Sequence, residues 1–368
     1  MYREEDLVRI AKRENNKKRS YLVVNPLQGK HVPVVPSRAL ALFQELAKMC
    51  KNEYEGEQIL VIGFAETATA IGAAVAIAMD SYYIQTTRET ISGADYLYFS
   101  EEHSHASQQK LVRNEIDDAA EEIERILFVE DEVTTGKTIW NIINVLEKEY
   151  PERFCYSVAS LLNSMDEEAL EKYRIRGIAM HYLVRADHGN YANIAEEYVE
   201  DGSYISCNTK PSGKFPEIRI ASSMNARRMV QGAAYQSACQ LLWKELWTEL
   251  KGVEDKKILV LGTEEFMYPA LFAAAQLEAE GKDVRFHATT RSPIAVSKEM
   301  EYPLKERYEL KSLYQKDRVT FLYNLERYDL VLILTDAQEN VKEGLSALTN
   351  AISSKGNLKI LLIRWWEE

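Results

Sequence analysis

Residues Ile126 to Trp140, Ile-Leu-Phe-Val-Glu-Asp-Glu-Val-Thr-Thr-Gly-Lys-Thr-Ile-Trp, concentrate acids, hydroxyls, a glycine and a lysine behind a short apolar run. Four apolar residues, Ile126 to Val129, predict a buried strand, with Glu130 and Asp131 where it ends. Thr134, Thr135, Gly136, Lys137 and Thr138 follow, and the apolar-periodic run Ile139 to Leu146 predicts a helix. Open α/β sheets bind ligands beyond the carboxyl ends of their strands, where loops enter helix N-termini. A glycine there lets backbone amides wrap a phosphate, and the helix dipole adds roughly half a positive charge. A Walker A loop is excluded, because G-x-x-x-x-G-K-[ST] requires glycine at the position of Asp131. Carboxylates repel a phosphate, so Glu130 and Asp131 must address another part of the ligand. Sugar hydroxyls are their natural partners, through charge-assisted hydrogen bonds. A terminal phosphate with a vicinal diol describes a ribose 5-phosphate.

The elements that must position this stretch can be read on both sides of it. Residues 1–20 read as a polar lead-in, and Tyr21 to Val35 as two extended runs around a turn at Pro26–Gly29. A helix is expected from Ser37 to about Lys51, with Leu40, Phe43, Leu46 and Ala47 on one face. Gln58 to Gly63 predicts a buried strand that runs through Phe64-Ala-Glu-Thr-Ala68 into a small-residue helix reaching Met79. Ala65, Glu66, Thr67 and Ala68 are small or polar enough for their amides to form a second anion cradle. Tyr82 to Arg88 predicts the next strand, ending in an arginine. Residues 90–112 read as a long loop of the kind that forms a lid. It contains His103 and His105, which at i and i+2 of an extended segment point the same way. Metal chelation by this pair lacks an evident third ligand. Beyond the central stretch come a strand over Phe154–Leu162 with Asn163 and Ser164 at its end, a helix over 166–174, and a strand over Ile178–Val184. Arg185 opens the turn-rich segment after that last strand.

Composition bounds the class. A chain of 368 residues, 46% hydrophobic and 28% charged, accommodates two globular domains. No apolar run reaches membrane-span length, and no signal-peptide core follows Met1. Cys50, Cys155, Cys207 and Cys239 are widely spaced, as in a reduced, cytoplasmic protein. A formal charge of −12 argues against nucleic acid as the principal partner. A homodimer is compatible with all of this.

The second half echoes the first at offsets of roughly 200 residues. Gln58-Ile-Leu-Val-Ile-Gly63 recurs as Lys257-Ile-Leu-Val-Leu-Gly262, Tyr83-Ile-Gln-Thr-Thr-Arg88 as Phe286-His-Ala-Thr-Thr-Arg291, and Phe128-Val-Glu-Asp131 as Ile333-Leu-Thr-Asp336. Tyr204–Cys207 and Glu217–Ile220, around a Pro211/Gly213 turn, correspond to the opening pair of extended runs. The order of landmarks implies an internal duplication, with domains at 1–195 and 196–368. The copy lacks the Thr-Thr-Gly-Lys-Thr cradle; Glu339-Asn-Val-Lys-Glu343 stands there instead.

The strand, acidic pair and Thr-Gly-x-Thr of the central stretch resemble the phosphoribosyl-pyrophosphate (PRPP) signature of type I phosphoribosyltransferases. Thr290-Arg-Ser-Pro293 is similar to the signature of TRSP domains. The whole chain therefore resembles proteins pairing an orotate-phosphoribosyltransferase-like domain with a TRSP domain, encoded near bacterial tellurite-resistance (Ter) stress genes. The resemblance implies an α/β type I phosphoribosyltransferase-like open sheet followed by a degenerate second copy. It implies a PRPP- and Mg²⁺-dependent transferase that moves 5-phosphoribosyl to a base-like acceptor and releases pyrophosphate. Glu130 and Asp131 would hold the ribose hydroxyls and, indirectly, the metal. Thr134–Thr138 would hold the 5-phosphate, while Ala65–Ala68 and Arg88 would receive the diphosphate. His103 and His105 would supply cation from the lid, since Glu89 follows Arg88 where many relatives carry lysine. Asn163, Ser164, Arg185, Arg291 and Ser292 are the candidates for reading the acceptor. The rival class is a regulator that binds PRPP or a nucleotide without turning it over; the helix-turn-helix that would mark it is not evident.

Overall fold

The computed structural model describes residues 2–14, 19–100, 109–210, 213, 215–221, 223–338 and 341–365. The chain divides into two compact units, each built from separated segments. The first comprises residues 1–4, 40–187 and 224–237, and the second comprises 5–39, 188–223 and 238–368.

The first unit is a six-stranded sheet in the order Val230–Gln231, Tyr82–Gln85, Ile59–Gly63, Arg125–Val133, Cys155–Asn163 and Ala179–Arg185. All pairings are parallel except the short edge strand Val230–Gln231, which runs antiparallel to Tyr82–Gln85. Strands covered on both faces need continuous apolar runs. Accordingly Ile59 to Ile62 and Ile126 to Val129 are at most 3% exposed. From the central pair, Ile59–Gly63 and Arg125–Val133, the chain winds outward in opposite directions, so their carboxyl ends form the topological switch point. The helix Thr69–Met79 follows the first of these strands. Its small residues let it lie directly on the sheet: a Cβ at Gly72 would come within 2.8 Å of the Gly63 Cα. The helix Lys137–Glu149 follows the second and buries Ile139, Ile142, Ile143 and Leu146 at helical spacing.

The second unit holds a five-stranded parallel sheet in the order Glu217–Ile220, Ile360–Trp365, Leu330–Thr335, Lys257–Gly262 and Asp283–Ala288. The strand that ends in Gly262 and the one that precedes Asp336 are parallel neighbours in it, as Ile59–Gly63 and Arg125–Val133 are in the first unit. Both units also carry an antiparallel hairpin after their Thr-Thr-Arg turn: Tyr96–Phe99 with Gln109–Val112, and Glu306–Lys311 with Val319–Tyr323.

Several local expectations need correction. The lead-in is structured: Glu4–Leu7 is a short helix, and Arg9–Lys12 pairs antiparallel with Tyr21–Val24. The acidic pair does not end its strand, which continues to Val133, paired with Asn163. Residues 90–112 are not one loop, because Tyr96–Phe99 and Gln109–Val112 within them pair as the hairpin just described. The opening runs and those at 203–220 are not equivalent in pairing: Ser203–Ser206 runs parallel to Glu306–Lys311, and Glu217–Ile220 joins the main sheet. The candidates His103 and His105 lie outside the described residues, as do Pro211 and Glu339. Among the described residues no helix is long and apolar enough to cross a membrane.

Candidate functional site

The site is built at the switch point of the first unit. Asp131 lies two residues before the end of its strand and accepts a hydrogen bond at Oδ1 from the Thr67 hydroxyl, 2.7 Å away. This bond joins the acidic stretch to the 64–68 loop, two segments read separately in the sequence. Burial pushes the Asp131 carboxyl up to about 6, against the lowering effect of Thr67, and neighbouring Glu132 raises it further. Such a carboxylate has lost water and gains from an incoming hydroxyl donor or cation. Glu130 sits one residue earlier, in register with Ser160 of the next strand.

Beyond the strand, Thr134 and Thr135 form a bend and Gly136 caps the Lys137–Glu149 helix with φ of 73°, a left-handed conformation. No capping side chain of Gly136 covers the first helical amides; the Thr135 hydroxyl accepts from the Lys137 N–H at 3.3 Å. The position also demands close packing, since a Cβ on Gly136 would meet the Tyr173 hydroxyl at 2.8 Å. That hydroxyl donates to the Gly136 carbonyl at 2.6 Å and fixes the turn. Lys137 is exposed and Thr138 half-buried on the first turn.

The 64–68 loop follows Gly63, and the peptide between Ala65 and Glu66 is cis. Its frame was not legible in the sequence. The Ala65 N–H donates to the Thr86 hydroxyl at 2.8 Å, Thr86 in turn donates to Gln109, and the Gln109 amide donates to the Ala65 carbonyl at 2.9 Å. Arg88 stands two residues past Thr86.

The acceptor candidates of this unit come together at the end of the neighbouring strand. Asn163 is fully buried, and its Oδ1 accepts from Arg185 Nη1 at 2.7 Å and from the Met165 N–H at 3.1 Å. Its Nδ2 has no hydrogen-bond partner among the described residues. The Ser164 N–H donates to the Val133 carbonyl at 2.8 Å, which places this cluster beside the end of the acidic strand.

Arg291 and Ser292 belong to a separate cluster in the second unit. Arg291 pairs with the buried Glu265 at 3.3 Å, and Arg318 with the buried Glu264 at 2.8 Å. Asp336 accepts from the Tyr314 hydroxyl at 2.6 Å. Carboxylates of the unit itself thus face the cations that an anionic ligand would use. Among the described residues no group of three or more His, Cys, Asp or Glu side chains could hold a metal by itself.

No curated protein matches the chain. Solved structures similar to it include the adenine phosphoribosyltransferase of Rhodothermus marinus, at 15% identity, covering 50% of this chain and 96% of that one with a TM-score of 0.36. The Giardia lamblia adenine enzyme, solved with 9-deazaadenine, shows 16% identity over 50% of this chain and 96% of its own, at a TM-score of 0.35. A hypoxanthine phosphoribosyltransferase of Staphylococcus aureus gives 14% identity, 42% and 76% coverage, and a TM-score of 0.27. Residues 7–187 match the family model PRTase_2, described as phosphoribosyl transferase, and residues 222–352 match TRSP, described as the domain C-terminal to it. The chain belongs to the proteins in which a PRTase_2 phosphoribosyl transferase domain is followed by a TRSP domain.

Proposed function

We propose that the first unit binds PRPP and transfers its 5-phosphoribosyl group to a nitrogen of a base-like acceptor, releasing pyrophosphate. The observation that carries this reading is the juxtaposition of Asp131 with Thr67 at the switch point, directly before a glycine-started helix. In it, Thr134–Thr138 cradle the 5-phosphate through amides and hydroxyls. Glu130 and Asp131 accept from the 2′ and 3′ hydroxyls and place negative charge beneath the ring. The bond from ribose C1 to the pyrophosphate oxygen breaks as the acceptor nitrogen closes on C1, and the electron pair leaves with pyrophosphate. Positive charge developing at C1 is stabilised by the acidic pair; negative charge on the leaving group is received by the 64–68 loop and Arg88.

The desolvated, raised carboxyl of Asp131 beside Glu132 fits a nearby divalent cation. Glu130 and Asp131 would hold Mg²⁺ through water, and Mg²⁺ when bound neutralises charge on PRPP. Asn163 supports acceptor recognition: with Oδ1 taken by two donors, its amide can only donate, so it selects a carbonyl oxygen or an unprotonated ring nitrogen. Arg185, through its bond to Oδ1, fixes that amide, and Ser164 is the further acceptor candidate beside it. His103 and His105, outside the described residues, are proposed as further sources of cation. The second unit we read as a degenerate copy, on its repeated strand order and on ion pairs that fill the equivalent strand ends.

The test is to incubate the purified protein with PRPP, Mg²⁺ and cell extract, and to follow pyrophosphate release and metabolites. A phosphoribosylated product formed in step with pyrophosphate, and absent with Asp131→Asn, is expected. PRPP binding without turnover under any extract would instead favour the regulator.

A further inference from the structure

We propose that Gln109 is a positioning residue for the loop that receives pyrophosphate, an assignment resting on the phosphoribosyl-transfer reading. Gln109 opens the Gln109–Val112 strand and is 2% exposed; Thr86, its partner, is fully buried. The ring running from Ala65 N–H to Thr86, from Thr86 to Gln109, and from Gln109 back to the Ala65 carbonyl engages both main-chain polar groups of one loop residue. The Gln109 carboxamide accepts from a hydroxyl and donates to a carbonyl at once; an ionised glutamate lacks the donor and methionine supplies neither strong partner. Adjacent main-chain bonds complete the brace. Thr86 N–H reaches Gly63 O at 3.0 Å, Phe64 N–H reaches Val129 O at 3.1 Å, and Thr87 exchanges bonds with Lys110 at 2.8 and 3.1 Å. The loop start is therefore fastened on three sides, while Thr67 further along reaches Asp131.

The second unit provides an internal comparison. There the Glu264 N–H donates to the Thr289 hydroxyl at 3.0 Å, the Thr289 N–H to Gly262 O at 3.1 Å, and Thr290 bridges Phe321. These bonds repeat those of Ala65, Thr86 and Thr87. The residue preceding Phe321 is Thr320, too short to serve as Gln109 does, and the loop carbonyl of Glu264 instead receives Lys30 Nζ at 2.7 Å. A donor on that carbonyl is kept in both units although its source differs. Amides that bind an anion work through preorganisation, so loosening this brace weakens the pyrophosphate end of the site and spares the 5-phosphate end.

Calorimetric titration with two probes, magnesium pyrophosphate and ribose 5-phosphate, tests the assignment on full-length protein. Gln109→Met and Thr86→Val should each lose pyrophosphate affinity by at least about tenfold, with ribose 5-phosphate affinity held within about twofold. Thr86→Ser, which retains the hydroxyl, should restore pyrophosphate binding. If Gln109→Met does not fold, Thr86→Val, which opens the same ring without introducing charge, supplies the comparison. Equal losses for both probes, or unchanged pyrophosphate affinity, would overturn the role of Gln109 alone. Wild-type protein binding neither probe would overturn the phosphoribosyl reading and this assignment with it.

Discussion

Asp131 holds its charge against its surroundings. Burial raises its folded value from the ordinary 3.8 to about 6, so the folded protein holds the proton more tightly than the unfolded chain does. The group therefore favours folding most at low pH, and that contribution is lost as pH rises from about 4 through about 6. At pH 8 the ionised carboxylate costs at most about 2–3 kcal/mol of stability; Asp131 keeps some accessible surface, and solvent screening reduces the figure. Asp131→Asn removes the charge and keeps an acceptor for Thr67. Its melting temperature should exceed wild type at pH 8 and match it near pH 4, while PRPP affinity falls at least about tenfold. Scanning calorimetry across that range checks the sign; a lower melting temperature at pH 8 would show that the charge is already compensated. Gly136 makes a different demand. Gly136→Ala places a side chain at φ of 73° and 2.8 Å from the Tyr173 hydroxyl, so a loss of about 1–3 kcal/mol in urea denaturation is expected, with weakened ribose 5-phosphate binding. An alanine variant of wild-type stability would mean that Tyr173 moves aside freely.

At the scale of elements, the strands that position the site were legible where burial on both faces makes a run continuously apolar, as in Ile59–Ile62 and Ile126–Val129. The strand end was not, because residues 130–132 are charged and are held in the sheet by pairing with the Cys155–Asn163 strand. Arg9–Lys12 was missed for the same reason: its strand exists through Tyr21–Val24, a contact with no local signature. Tyr96–Phe99 does alternate buried and exposed, but the polar run after it concealed its partner. Thr67 was visible as a loop residue, and its bond to Asp131 was not, since it joins positions 64 residues apart. His287, on the Asp283–Ala288 strand, belongs to no motif that would mark it in the sequence. It is fully buried between the Gly29 and Tyr323 carbonyls, and desolvation lowers its folded value to about 4. Unfolded chains take up the proton near 6.5, so stability present above that value should be lost as pH falls from about 6.5 through about 4. Comparing urea midpoints of wild type and His287→Gln at pH 7 and pH 4.5 checks this: the wild type should lose more stability on acidification. Equal losses would place the acid sensitivity elsewhere.

At the scale of the molecule, the second unit is incomplete without residues 5–39. Lys30, fully buried, donates to the carbonyls of Glu264 and Thr289; Val34 pairs with Phe286; and Gly29 packs so closely on Phe286 that a Cβ would lie 2.4 Å from its ring. A fragment of residues 196–368 should therefore show no cooperative melting, and one that melts like the full chain would remove these contacts from the account. The same unit has Glu264 and Glu265 paired with Arg318 and Arg291, and its Lys342–Ser354 helix starts after Val341, where the corresponding helix of the first unit starts after Gly136. The proposed reading therefore predicts one PRPP per chain. The most direct measurement is calorimetric titration of the full chain with PRPP in the presence of Mg²⁺. The account predicts a single saturable site per chain, lost in the Glu130→Gln, Asp131→Asn double variant. An absence of binding, two sites per chain, or undiminished affinity in that variant would contradict it.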